Sequence, residues 1–78
     1  MQYIMTKYDI GMNAGTVWNS LEGNCGMTFD ELRQVSGLAR HELCAAIGWL
    51  AREGKIEIEY DRKTEAERFY PPHCNMYY

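Results

Sequence analysis

An α+β fold, three helices followed by a C-terminal β-hairpin, is predicted by three observations. Apolar residues recur three and four apart from Ile10 to Leu21, and again from Leu43 to Leu50, the period of a helix with one buried face. From Lys55 the period drops to two: Ile56, Ile58 and Tyr60 alternate with Lys55, Glu57 and Glu59, the pattern of a strand. Gly54 stands at the change, and glycine takes the left-handed conformation that ends a helix at little cost.

The elements follow in order. The first helix is expected over Ile10–Glu22, its face made by Ile10, Ala14, Val17, Trp18 and Leu21, with Asp9 as N-cap and Gly23 as the C-terminal stop. Gly11 and Gly15 weaken it by roughly 1 kcal/mol each relative to alanine, and leave room for another backbone to come close. Met27–Thr28 can add a short strand. Thr28 and Glu31 form a capping box for a second helix of about two turns, with Phe29, Leu32 and Val35 inward. Ser36–Gly37–Leu38 breaks it. A third helix is expected over Ala39–Glu53, with Leu43, Ala46, Ile47 and Leu50 as its buried stripe. Then come a strand over Lys55–Tyr60, a polar turn "DRKTEA", a returning strand "ERFY", and Pro71–Pro72, which cannot donate to a ladder. A lone hairpin is barely stable in water, so Ile56, Ile58, Tyr60 and Phe69 need the helices to cover them. This order is that of a winged helix-turn-helix domain over 10–70, with an N-terminal arm at 1–9 and a tail at 71–78.

Composition bounds the rest. Seventy-eight residues, 46% of them hydrophobic, make one domain with a core near the lower limit for independent folding. A second copy is the expected source of further buried surface, so a homodimer is expected. Tyr3, Ile4, Met5 and Tyr8 at one end, and Met76, Tyr77 and Tyr78 at the other, are apolar enough to pack on the domain or on a partner. Trp18 is expected in the core or an interface, and Trp49, one residue off the buried stripe, as a bridge to the first helix or the hairpin. The three cysteines, Cys25, Cys44 and Cys74, form no CxxC pair. With no signal-like start and no apolar run long enough for a membrane helix, this reads as a cytoplasmic protein with free thiols. Cys44 is expected to be a small buried apolar residue. The net charge is −3, spread evenly along the chain, with no basic tail.

"NAGTVWNSL", "MTFDELRQVSGL" and "AAIGWLAREGKIEIE" resemble a family of small bacterial winged helix-turn-helix proteins, many known only as a domain of unknown function and frequent in Bacteroides-type bacteria. The resemblance covers about residues 9 to 70, and "GWLAREGKI" is its most specific part. It implies the winged helix fold and DNA binding as the default function.

A helix-turn-helix reader lays its second helix in the major groove with the N-terminal residues at the base edges. Here those residues are Ala39, Arg40, His41 and Glu42, with Ala45 further along. Arg40 suits a guanine or a phosphate, and His41 suits either. Phosphate contacts are expected from Arg33, Arg52, Arg62, Lys63 and Arg68, with Arg62 and Lys63 at the wing tip. The DNA-binding set is therefore Arg33, Arg40, His41, Arg62 and Lys63. Glu42 and the acidic wing, Glu57, Glu59, Asp61, Glu65 and Glu67, oppose phosphate. The alternative is a dimerising protein-interaction module that binds no nucleic acid. No GxSxG, phosphate-cradling glycine loop or HExxH is present, so no enzyme, cofactor or small-molecule substrate is expected. His41 with Cys44, and His73 with Cys74, lack a zinc-ligand spacing, so no metal is expected.

Overall fold

The computed structural model describes residues 5–24 and 26–72. Its elements run α1 (Lys7–Leu21), β1 (Met27–Thr28), α2 (Phe29–Ser36), α3 (Arg40–Arg52), β2 (Glu57–Asp61) and β3 (Ala66–Tyr70). The strands form one antiparallel sheet in the order β1-β3-β2. Phe69 pairs with Met27 on one side and Ile58 on the other, so β3 is the central strand. The architecture is an α+β winged helix: three helices and a three-stranded sheet whose β2–β3 hairpin is the wing.

The helices end where local chemistry ends them. Thr28 accepts a hydrogen bond from the Glu31 backbone N–H at 3.2 Å, and Glu31 Oε1 accepts one from the Thr28 N–H at 2.9 Å. This closes the expected capping box of α2. Gly37, at φ 74°, ends α2. After α3, Gly54 stands at φ 71°, its N–H donating to the Ala51 carbonyl and the Lys55 N–H to that of Leu50. Those two bonds are a Schellman motif, and they reverse the chain into the wing. Among the described residues a Cβ on Gly54 would meet no atom within 4 Å, so backbone strain decides its replacement. Gly54→Ala is expected to lower stability by about 1–2 kcal/mol, measured by urea unfolding; a loss below about 0.3 kcal/mol would remove the corner's special demand.

The start of α1 departs from expectation. The helix begins at Lys7, and its N-cap is Thr6, not Asp9. The Thr6 hydroxyl accepts from the Asp9 N–H at 3.2 Å, and the Asp9 carboxylate accepts from the Thr6 N–H at 2.9 Å. Asp9 is thus the third helical residue of a second capping box. Tyr8 therefore lies within the helix, not in an arm. Tyr3, Ile4 and the 73–78 tail lie outside the described residues.

One core joins the layers. Ala14, Val17 and Leu21 of α1 meet Leu32 of α2, and Leu43, Ala46, Ile47 and Leu50 of α3. Met27 and Phe69 close it from the sheet and Ile56 from just ahead of β2, and Phe29 and Leu38 pack at its edge. The α3 stripe is the expected one. Three other expectations fail. Val35 is exposed: it lies six residues after Phe29, about 120° round the helix, and α2 ends one residue later. The wing outruns its cover, so Ile56 is 5% exposed, Ile58 43% and Tyr60 60%. Only the base of the hairpin rests on the helices. Cys44 is exposed, because it sits about 100° round α3 from Leu43 and misses the core.

Candidate nucleic-acid interface

The turn between α2 and α3 is held by its own side chains. The Gly37 N–H donates to the Arg33 carbonyl at 3.0 Å. The Ser36 hydroxyl accepts from the Leu38 N–H at 3.2 Å, and Leu38 packs against the core. Gly37 supplies the positive φ that lets Ser36 and Leu38 face these partners. The result presents Arg33 at the end of α2 and Arg40 and His41 at the start of α3, all exposed to solvent.

Each of these side chains has a specific setting. Arg33 lines a shallow cleft of about 490 Å³ with Asp30, Gln34, Gly37 and Leu38. The Arg40 guanidinium lies 5.2 Å from the centroid of the Phe29 ring, a cation–π contact that holds it over the start of α2. Glu42 is half-buried, and its carboxylate accepts from the Ala39 N–H at 2.8 Å. It serves as a partial N-terminal cap for α3, satisfying one of the N–H groups a helix start leaves open. Ala39 itself makes no side-chain cap bond. Ala39→Ser is therefore expected to raise stability by about 1 kcal/mol, seen as a higher urea midpoint with unchanged slope; no gain would reject an unmet cap at this helix start.

The outward face of α3 runs through His41, Cys44, Ala45, Gly48 and Arg52, spaced three and four apart opposite the buried stripe. Sequence reading by N-terminal position missed Cys44 and Gly48. The buried stripe carried the signal, since the face opposite Leu43 and Leu50 follows from the helical period. A surface made of cysteine, alanine and glycine between His41 and Arg52 is smooth and lets α3 approach another surface closely.

Arg62 and Lys63 stand exposed at the wing tip, beyond the last ladder pair, Asp61 with Ala66. Asp61 organises that tip: its Oδ1 accepts from the Lys63 N–H at 3.0 Å, and its Oδ2 accepts from Arg68 Nε at 3.0 Å. Arg68 is thereby corrected as a phosphate contact. It also donates through Nη1 to the Gly26 carbonyl at 2.7 Å, and lies 4.0 Å from Glu31. It ties the wing to β1 and α2 rather than facing solvent. Glu57 and Glu59 remain exposed along the free edge strand.

The Arg68 hydrogen bond, with the Lys63 N–H and the Thr64 side chain, holds the Asp61 carboxyl below the usual aspartate range. A carboxylate whose pKa is depressed on folding stabilises above the unfolded value and stops doing so as pH falls through the folded one. The wing tip is therefore expected to be fully braced at neutral pH and to loosen in acid, below the ordinary aspartate pKa. Amide exchange at Lys63 and Thr64 should rise there in the parent chain. In Asp61→Asn the same amides should be insensitive to pH after correction for the intrinsic rate; an identical acid response in both chains would refute the bracing.

A helix-turn-helix with an exposed second helix, backed by a three-stranded sheet whose hairpin forms a wing, defines the class: a winged helix protein. The chain belongs to the family described as Winged helix-turn-helix domain (DUF2582), whose profile matches residues 5–70. It is similar to the solution NMR structure of protein BT2368 from Bacteroides thetaiotaomicron, at 33% identity and a TM-score of 0.77, over 95% of this chain and 89% of that one. No curated protein matches the chain. Among the described residues, no helix is long and apolar enough to cross a membrane.

Proposed function

We propose that the chain binds duplex DNA through α3 and acts in transcriptional control in the cytoplasm, as a homodimer. The observation that carries this reading is the exposed α2–α3 turn, with Arg33 in the last turn of α2 and Arg40 and His41 in the first turn of α3. In such a docking α3 enters the major groove, Arg40 and His41 reach base edges, and Arg33 meets the backbone. Arg62 and Lys63 supply further phosphate contacts from the wing tip. The smooth centre of α3 admits the helix deeply, and Ala45 suits a thymine methyl. The net charge of −3 limits the non-specific component, and two copies on two half-sites offset a weak single contact.

The test is selection of bound duplexes from a random pool, followed by affinity measurement against salt. Retention of a defined sequence, with affinity falling as salt rises by a slope matching a few phosphate contacts, is the expected result. No enriched sequence and no binding at low salt would reject the reading. The second reading, a protein-interaction module, is favoured by one observation: Tyr8, Met12 and Trp49 are exposed large apolar side chains away from the α2–α3 turn.

A further inference from the structure

Helix α1 carries four residues that an isolated helix would not choose. Lys7 stands at its N-terminal end and Glu22 at its C-cap, each at the end where the helix dipole disfavours its charge. Gly11 and Gly15 lie in its middle, where glycine weakens a helix. Among the described residues a Cβ on either glycine would meet nothing within 4 Å, so packing among them requires neither. Among the described residues neither Lys7 nor Glu22 forms an ion pair. Lys7, Gly11 and Gly15 fall on one row at steps of four; Trp18 and Glu22 continue the same flank.

That flank opens on a cavity of about 230 Å³, walled by Gly11, Gly15 and Trp18 of α1 and Trp49 and Leu50 of α3. Beside it Tyr8 is 73% exposed and Met12 58%, and Trp49 is 46% exposed across the groove. One charge, Lys55, stands on the cavity wall between α3 and β2, and the two ends of the α1 flank carry opposite charge, Lys7 and Glu22. We propose that a second copy of this chain occupies this face, with the two α1 helices packed antiparallel about a twofold axis. The proposal rests on the homodimer reading and not on DNA binding.

A twofold axis crossing α1 between Ala14 and Gly15 makes the face self-complementary. It sets Lys7 of each copy against Glu22 of the other, and Trp18 of each over the gap at Gly11. The glycines let the helices approach closely, and the charges that oppose each helix's own dipole pair across the interface. A fully buried aromatic contributes about 150–250 Å², so the exposed parts of Tyr8, Met12 and Trp49 supply on the order of 300–400 Å² per copy. Trp18 and the groove walls bring the pair towards the lower end of stable interfaces, about 1,200 Å² in total. The dimer is therefore expected to dissociate on dilution.

Sedimentation equilibrium of the full chain across concentrations tests this. The parent chain should pass from monomer to dimer. Lys7→Glu and Glu22→Lys should each weaken the dimer about tenfold, because both symmetric pairs become repulsive, and the double variant should recover parental affinity. Gly15→Leu should abolish the dimer while its melting temperature, taken where all chains are monomeric, stays level or rises. A Gly15→Leu dimer of parental affinity, or a double variant as weak as the singles, overturns the assignment. A dimer lost instead through Tyr60→Glu moves the interface to the wing and overturns it, with the dimer reading intact. A chain monomeric throughout overturns both and leaves the groove to a different partner.

Discussion

Leu43→Ala is expected to destabilise the domain by about 3 kcal/mol. Leu43 is fully buried and is among the largest such side chains in the core, with Leu21, Leu32 and Val17. Removing its branched end costs the transfer of the lost methyl groups and leaves a hole that three helices can only partly close. A domain this size holds roughly 4–12 kcal/mol in all, so the loss is a large share of its stability. Cys44 supplies the control: it is the next residue, on the same helix, and exposed. Cys44→Ala should stay within about 0.5 kcal/mol of the parent. Urea unfolding should show both effects in the midpoint at constant slope. Equal effects at the two positions would mean that α3 is rotated from the orientation described, and the outward face with it.

Arg40→Ala is expected to weaken binding to a selected duplex by about 1–3 kcal/mol, roughly five- to 150-fold. The loss should fall on one base position, so that sequences differing there become equivalent. Lys63→Ala, which removes a phosphate contact from the wing tip, should weaken all duplexes alike and reduce the salt slope by about one. The Arg40 guanidinium also rests on Phe29, a contact worth about 0.5–1 kcal/mol at an exposed site. Arg40→Lys separates the roles, because lysine keeps the charge but lacks the planar fork that reads guanine. Unchanged affinity in Arg40→Ala for every duplex that the parent binds would remove Arg40 from any reading role.

Much of the fold was legible because its signals are local. Gly54 marks the switch of period from α3 to the wing, and the structure places it at φ 71°. The Thr28–Glu31 box and the Leu43–Leu50 stripe are likewise written in spacing. The Thr6–Asp9 box was equally local, but Asp9 was read as the cap itself, since either residue type can fill that position. A Thr-x-x-Asp pattern four residues ahead of Ile10 carried the missing signal.

The failures share another cause. Ile58 and Tyr60 alternate as a buried strand face should, but alternation states which side a residue faces, not how far the covering helices extend. Arg68 looked like any other basic residue beside the wing. Only the β1–β3–β2 order brings Gly26, Glu31 and Asp61, distant from one another in the chain, around its guanidinium.

By itself the sequence determined the helices, the glycine corners, the hairpin and most of the apolar stripe, because these depend on residues within a turn or two of each other. Tertiary structure alone decided the length of wing left uncovered, the partners of Arg68, and the open groove above Gly11 and Gly15. Those features depend on where separate elements end in space, and the lengths and angles of packed layers are properties of the assembled core rather than of any local run of residues.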